Sequence, residues 1–287
     1  MSDKTGSGWS PASVKHILAI ASCKGGVGKT TVSVNLALAL RRRGTRVGLY
    51  DADLYGPNVP LMLGIRGRAA SFPLSVPDAR GQSVGMIPVA RRDTVPYIQP
   101  FRRFGTAVMS VGLWFGETEA VMDPPSFGAE MIRQTFQDVL WGELDFLLLD
   151  FPPGTGEPQQ TLMSTIRIDG VIIVTTPQEL SLMDTGRSIQ YFRNRGVPIL
   201  GVVENMSYMV CPNCGKELHA LAGERDQWPL VHDVPVLGRL PLDPALSRRI
   251  DADHPLTQLA LDSPQALALG AIADRVQAMF GRGDGLG

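Results

Sequence analysis

The chain has 287 residues, of which 44% are hydrophobic, and its formal net charge at pH 7 is -1. This composition supports a large buried core, and the balanced charge gives no indication of a dedicated nucleic-acid-binding protein. No apolar run reaches transmembrane length and the N-terminal stretch lacks the apolar centre of a signal peptide, so we expect a cytoplasmic protein that binds neither membrane nor nucleic acid.

Short apolar runs rich in β-branched residues alternate with longer helical patterns along the chain. Strands are predicted at 16–22, 46–51, 84–90, 106–112, 145–150, 170–176, 199–205 and 235–241. Helices are predicted at 30–43, 127–140, 159–168, 180–195 and 264–280. Because most of these strands are apolar on both faces, helices should cover each side of the sheet. The predicted fold class is therefore a doubly wound, mostly parallel α/β sheet.

One domain is predicted, with two irregular regions inside it. Residues 1–14 are typical of a flexible leader, and 15–282 are expected to form a single ATPase domain. Residues 64–105 are rich in Gly, Pro and Arg, and a long insertion at about 206–234 separates two predicted strands. Loops of this length are usually functional or disordered.

The segment SCKGGVGKTT, residues 22–31, lies between the first predicted strand and the first predicted helix. It nearly matches the phosphate-loop pattern G-x-x-x-x-G-K-[ST], with Cys23 in place of the first glycine. Such glycines let backbone N–H groups converge on a phosphate at a helix N-terminus. We predict that Lys29 holds the β- and γ-phosphates and that Thr30 ligates Mg²⁺. The whole predicted nucleotide-binding set is Gly25, Gly26, Val27, Gly28, Lys29, Thr30 and Thr31.

The residues K-G-G-V-G-K-T resemble the variant phosphate loop of the superfamily that includes MinD, ParA, Mrp and the nitrogenase reductase. The resemblance implies that Lys24 reaches the nucleotide bound by a partner subunit, so that hydrolysis depends on dimerisation. A second cation at the transferring phosphoryl group would offset the charge that builds up in the transition state. Without the rest of the motif, Lys24 would be interpreted as a solvated surface lysine. Cys23 is interpreted as a small thiol buried at the strand end, with a redox-sensitive thiol as the alternative.

Three aspartates follow predicted strands at the edge where open α/β sheets bind their ligands. Asp150 ends an apolar strand in the Walker B position, where a carboxylate holds Mg²⁺ through water. Asp53 aligns with the water-positioning aspartate of the superfamily, and Asp51 is expected to support the Mg²⁺ water shell. Either could instead cap the next segment. The N–H of Gly154 is expected to sense the γ-phosphate as part of a switch.

Cys211 and Cys214 form a C-P-x-C-G turn inside the long insertion. Such a turn lets two sulfurs face one metal. A thioredoxin-type redox motif is the competing interpretation, although that motif opens a helix after a strand. Two thiolates leave a zinc site or a [4Fe–4S] cluster incomplete, because each takes four ligands. His219 and His232 could complete a zinc site within one chain, or two chains related by a two-fold axis could each contribute two cysteines.

Taken together, several stretches resemble the Mrp/ApbC family of iron–sulfur cluster carrier ATPases, and ENMSY-x-x-C-x-x-CG separates this family from its MinD and ParA relatives. The resemblance implies that Asn205 and the backbone near Pro241 contact adenine, and that Cys211 and Cys214 bind a bridging cluster. We therefore expect an ATP-hydrolysing homodimer that carries a [4Fe–4S] cluster to apo-proteins. A MinD/ParA-like positioning ATPase and an NTPase with a structural zinc at the dimer seam are the alternatives. The stretches that carry the resemblance are SCKGGVGKTT, DADLYGPNVP, DFPPGTGEPQQTL, VTTPQELSLMD, GVVENMSYMVCPNCG and LGRLPLD.

Overall fold

The computed structural model describes most of the chain, with gaps. The described residues are 11–54, 56–65, 76–77, 83–84, 89–92, 95–113, 132, 135–211, 213–219, 221, 233–243 and 262–281. Residues 1–10 of the predicted leader and His232 lie outside them. Within the described part, no helix combines the length and the apolar character needed to cross a membrane.

The central strands of the sheet occupy the positions at which apolar, β-branched runs occur in the sequence. In chain order they are β1 (Val14–Ala21), β2 (Val47–Asp51), β3 (Val76–Pro77), β4 (Ser83–Val84), β5 (Val89–Arg92), β6 (Val95–Ile98), β7 (Phe101–Arg103), β8 (Thr106–Ser110), β9 (Leu144–Asp150), β10 (Gly170–Thr175), β11 (Ile199–Val210), β12 (Glu217–Leu218) and β13 (Val236–Pro241).

Along the chain, four helices of the described part lie between strands and one follows the last strand. They are α1 (Lys29–Arg42), α2 (Val59–Met62), α3 (Glu157–Thr165), α4 (Glu179–Arg193) and α5 (Pro264–Gly281), with a 3₁₀ turn at Val111–Leu113. Arg41 and Arg42, in the last turn of α1, interact favourably with the negative C-terminal end of the helix dipole. Gly44 follows with a left-handed backbone, φ +82°, and ends the helix.

Nine strands form one mixed, mostly parallel sheet. The order is β12-β11-β10-β1-β9-β2-β8-β7, and β13 also pairs with β11. Within the sheet, β7 runs antiparallel to β8 and β12 antiparallel to β11, while the other pairs are parallel. Asp150 stands opposite Ile20 of β1 and Asp51 of β2, so the carboxyl ends of the three strands lie at one level.

Apolar side chains fill a layer on each face of the sheet. Alternate residues of β1 enter opposite layers, with Ile17 in one and Leu18 in the other. α1 and α5 cover the layer that contains Leu18, and α3 and α4 contribute to the layer that contains Ile17. Burial of each such side chain contributes about 1.5–3 kcal/mol. The predicted fold class, with helices on both faces of a mostly parallel sheet, is confirmed.

Several element boundaries differ from prediction. β11 continues to Val210, five residues beyond its predicted end, so it carries the chain to Cys211. The predicted helix 159–168 ends at Thr165, where Ile166 turns extended. In the described part of the predicted helix 127–140, Val139 leaves the helix and bridges Ile98. The predicted strand 84–90 is represented by β4 and β5, and residues 85–88 lie outside the described residues.

Candidate functional site

The glycine-rich loop joins β1 to α1 at the carboxyl edge of the sheet. Gly26 and Gly28 have φ of +82° and +81°, a left-handed conformation that glycine adopts without steric cost. A Cβ on Gly28 would collide with the side-chain nitrogen of Asn205. The backbone of Gly28 is therefore held close to β11, and glycine is required there for two independent reasons. Lys24, Gly25 and Gly26 remain exposed at the loop surface.

A buried polar cluster lies beneath the loop and is centred on Asp150. Lys29 Nζ donates to Asp150 Oδ1 at 2.9 Å, and the Thr30 hydroxyl donates to Oδ2 at 2.7 Å. The side chains of Lys29 and Asp150 are only 6% and 0% exposed. Because an isolated charge at this depth would be strongly unfavourable, the pair and its hydroxyl partners compensate each other. Ser33, one turn further along α1, donates to Asp150 Oδ1 at 2.6 Å and was missed in the sequence because it lies beyond the motif.

Asp51 lies beside this cluster at the end of β2. Its Oδ2 accepts hydrogen bonds from the Ser110 hydroxyl at 2.9 Å and from the Val59 N–H at 3.2 Å. Burial, and then the negative charge of Asp150, raise the pKa of Asp51 above its usual range. Ser110 was also missed, although its place at the end of β8 would have brought it to the same edge of the sheet.

Asp53 lies in the turn after β2. Its Oδ1 accepts from the Gly56 N–H at 3.2 Å, and its own N–H donates to Asp51 Oδ1 at 3.2 Å. The first contact closes a local turn and does not cap α2, whose N-cap is Asn58. The Asp53 carboxylate is half-exposed and therefore accessible to water. Its role in positioning the attacking water stays a prediction.

The loop after β9 is tied to the phosphate loop. Gly154, with φ +87°, donates its N–H to the Ser22 carbonyl at 3.0 Å. The Ser22 hydroxyl in turn donates to the Lys24 carbonyl at 3.0 Å. The N–H that was expected to sense the γ-phosphate is thus bonded to protein in this structure, and its sensing role stays a prediction. The Lys24 side chain makes no ion pair with any residue that the structure describes.

The predicted adenine contacts lie where β11 and β13 meet the loop. Asn205 is 4% exposed and donates its side-chain amide to the Val27 carbonyl at 2.9 Å. Pro241 stands opposite Tyr208 in the parallel pairing. The structure therefore brings Asn205 to the loop and Pro241 to the neighbouring strand end, while their contacts with adenine stay predictions.

The two cysteines follow β11 directly in a tight turn. The Cys211 N–H donates to the Lys216 carbonyl, and the Gly215 N–H donates to the Cys211 carbonyl, both at 2.9 Å. The N–H groups of Asn213 and then Cys214 bond to the Cys211 sulfur and lower the pKa of its thiol. A lowered pKa favours the thiolate, which is the form that binds metals.

The thiol pair has no third ligand among the residues that the structure describes. His219, which might have completed a zinc site, is directed elsewhere: its Nδ1 lies 3.3 Å from the Ser207 carbonyl and its Nε2 lies 3.7 Å from Glu217. Cys211 is half-buried and Cys214 is exposed at the surface. A metal centre on this turn would therefore take its remaining ligands from outside the described part of the chain.

Sequence comparisons give a consistent result over almost the whole chain. The model of the ParA family described as NUBPL iron-transfer P-loop NTPase matches residues 13–277. The chain is 40% identical over 270 residues to a protein of Methanocaldococcus jannaschii named iron-sulfur cluster carrier protein, covering 92% of this chain and 84% of that protein. A protein of the same name from Pyrococcus furiosus is 38% identical over 263 residues, covering 91% of this chain and 85% of its own. In the Aquifex aeolicus protein of that name the match spans 66% of its length.

Solved structures share the fold. A nucleotide-binding protein from Archaeoglobus fulgidus, solved in complex with ADP, superposes with a TM-score of 0.67 at 30% identity, covering 89% of this chain and 91% of that one. The septum site-determining protein MinD of Pyrococcus horikoshii, complexed with Mg-ADP, gives a TM-score of 0.65 at 24% identity, covering 93% and 98%. The second likeness concerns the fold alone.

Proposed function

Since this chain belongs to the ParA family of NUBPL-type iron-transfer P-loop NTPases, we propose that it hydrolyses ATP and carries a [4Fe–4S] cluster to apo-proteins. One observation carries the proposal: a phosphate loop follows β1 and a surface turn with two thiols follows β11, and only β10 lies between these two strands in the sheet. The loop supplies a nucleotide site and the turn supplies half of a cluster site.

The buried cluster around Asp150 suits a nucleotide and Mg²⁺. The Thr30 hydroxyl and the Asp150 carboxylate are 2.7 Å apart, and such hard oxygen groups are the ligands that Mg²⁺ prefers. Thr30 would bind the ion directly and Asp150 through water, while Lys29 would turn from Asp150 to the β- and γ-phosphates. When bound, Mg²⁺ neutralises charge on those phosphates.

Hydrolysis requires an oriented water and added positive charge at the γ-phosphate. We assign the first task to the half-exposed Asp53 carboxylate and the second to Lys24 of a second copy. The exposure of Lys24, without an ion pair among the described residues, supports its availability to a partner. Two chains would then complete each other's nucleotide sites.

The same two-fold arrangement would complete the metal site. Cys211 and Cys214 supply two of the four thiolates that a [4Fe–4S] cluster takes, and an isologous dimer supplies two more. The cluster is cargo, since the proposed clients are apo-proteins that receive it. The exposed position of Cys214 supports such a transfer, because an incoming thiolate needs access to the cluster.

Anaerobic reconstitution with iron and sulfide tests the proposal. We expect about four iron and four sulfide per two chains, and we expect Cys211→Ser combined with Cys214→Ser to abolish cluster binding. Cys23→Ser is the matched control, because it removes the third cysteine of the chain and leaves the surface turn intact. Retention of iron and sulfide by the double variant would show that the ligands lie elsewhere. Zinc without iron or sulfide in protein purified without oxygen would replace the carrier proposal by a structural metal.

A further inference from the structure

The second half of β11 contains an irregularity, between Glu204 and Tyr208, that the proposed function does not use. In its pairing with β13, Glu204 stands opposite Arg239 and Tyr208 opposite Pro241. β11 therefore advances four residues while β13 advances two, and it contains two extra residues in between. Extra residues of this kind form a β-bulge, which bends a strand and is common beside functional sites.

Met206 lies at the centre of this bulge and has a left-handed backbone, with φ +54°. Within the described residues only one other non-glycine residue, Phe104, has positive φ. An L-residue with a Cβ disfavours this conformation, so surrounding contacts must hold it. Glu204 supplies one such contact, because its buried carboxylate accepts a hydrogen bond from the Ser207 hydroxyl across the bulge.

The bulge contacts the phosphate loop on its inner side. Asn205 donates to the Val27 carbonyl at 2.9 Å, and a Cβ on Gly28 would lie 3.7 Å from the Met206 Cε methyl. Two consecutive side chains of β11 therefore pack on the last residues of the loop before α1.

Beyond the bulge, the remaining residues of β11 connect it directly to the two cysteines. Tyr208 resumes pairing, and its carbonyl accepts a hydrogen bond from the Leu242 N–H at 2.6 Å. Met209 and Val210 pair with β12, and Cys211 follows. Only four residues thus separate Met206 from Cys211, and the strand pairing leaves little room to absorb a displacement between them.

We propose that Met206 is a positioning residue through which a nucleotide in the phosphate loop sets the state of the Cys211–Cys214 turn. The inference rests on the proposed function and on the predicted contact of Asn205 with adenine, for which the Asn205 amide would leave the Val27 carbonyl. Movement of Asn205 shifts the bulge held by the Glu204–Ser207 contact, and β11 transmits the shift to the thiols. Coupling of this kind is reciprocal, so a metal on the thiols changes nucleotide affinity by the same factor.

The three cysteines of the chain provide reporters for a test that needs no cluster. Iodoacetamide labelling, followed site by site by mass spectrometry, is measured with and without saturating Mg-ADP. Cys23 lies in the phosphate loop and should be protected by nucleotide, which reports binding directly. In the wild type the labelling rates of Cys211 and Cys214 should change by about fivefold, at the lower end of ordinary coupling between sites.

Met206→Gly tests the coupling residue. Glycine takes the left-handed conformation freely and lacks the side chain that meets the loop, so it should absorb the displacement. We expect Cys23 protection to persist while the nucleotide response at Cys211 and Cys214 disappears. Met206→Leu restores an apolar side chain of similar size and should restore the response. Phe104→Gly is the matched control, since it relieves the same backbone conformation in the β7–β8 turn and should leave the response intact.

Ser207→Ala provides a second route if Met206→Gly does not fold. It removes the hydroxyl that bonds to Glu204 without altering the backbone, and it should weaken the nucleotide response. Protection of Cys23 without any change at Cys211 and Cys214 in the wild type would overturn the inference and leave the proposed function standing. A response that is unchanged in both Met206→Gly and Ser207→Ala would overturn it as well. Absence of Cys23 protection and of nucleotide binding would instead refute the proposed function.

Discussion

Gly28 is subject to two separate constraints, one on its backbone conformation and one on its contacts. Its backbone is left-handed, and the side chain of Asn205 fills the space that a Cβ would need. Gly44 shares the left-handed backbone, with φ +82°, but a Cβ there would meet no atom within 4 Å. The two positions therefore separate the cost of backbone conformation from the cost of steric contact.

We expect Gly44→Ala to lower the free energy of unfolding by about 1–2 kcal/mol, the cost of a left-handed L-residue. Gly28→Ala should cost at least about 1 kcal/mol more, because it also displaces Asn205 from the Val27 carbonyl. Urea unfolding of both variants measures the difference. Equal losses would indicate that Asn205 moves aside without cost. Nucleotide affinity should fall only in Gly28→Ala.

The residues that the motifs specify lie together in the structure, and other residues join them only through the geometry of the fold. Lys29, Thr30 and Asp150 meet in one buried cluster as the phosphate-loop and Walker B patterns require. Ser33 and Ser110 join them through hydroxyl groups, and no pattern in the sequence distinguishes those serines from others.

At the scale of the elements, apolar runs predicted the strands that are buried on both faces. β1, β2, β9 and β10 lie within a residue or two of their predicted bounds. β7 was missed because its three residues, Phe-Arg-Arg, carry no apolar alternation. The extension of β11 was missed because Glu204 and Asn205 interrupt its apolar run, and a left-handed Met206 has no signature in the sequence.

Asp145 joins three strands at the opposite edge of the sheet. It bonds to Lys15 of β1 at 2.8 Å and to Arg46, just before β2, at 3.0 Å, while lying in β9 itself. These partners, Arg46 first, hold the pKa of the Asp145 carboxyl far below its usual range. A carboxyl whose pKa is depressed by folding stabilises the protein above its unfolded pKa, near 4, and loses that contribution as the pH falls below it.

Asp145→Asn should therefore lower the free energy of unfolding by about 1 kcal/mol at pH 7, as expected for a partly exposed pair. The difference from wild type should shrink as the pH falls from about 5 towards 2. Urea unfolding across that range measures it. Asp274→Asn is the control. Asp274 pairs with Arg43 and is more exposed than Asp145, so its replacement should have the smaller effect on the free energy of unfolding. A difference that stays constant with pH would refute this role for Asp145.

At the scale of the whole molecule, the family and fold class predicted from the motifs are confirmed. The motifs lie on both halves of the sheet and extend from the phosphate loop to β13, which is why they indicate both the family and the fold class. The homodimer stays a proposal, because it depends on exposed residues such as Lys24 whose proposed partners belong to a second copy.

Lys24→Ala should lower the rate of ATP hydrolysis by about 100-fold, the usual loss when one group that stabilises transition-state charge is removed. Hydrolysis per chain in the wild type should rise with protein concentration, in parallel with dimer formation followed by sedimentation. Lys15→Gln is the control, because it removes an exposed lysine from the opposite end of β1 and should leave the rate unchanged. A specific activity that stays constant upon dilution to monomer would rule out the shared site.

The antiparallel strand β7 affects whether neighbouring molecules can pair with the sheet in concentrated solution. It ends the strand order on one side with only three residues, and two of them, Arg102 and Arg103, are exposed and positively charged. A short, charged border offers a poor template for strands from neighbouring molecules. We therefore expect little tendency to form β-rich fibrils from that flank, even in concentrated solutions.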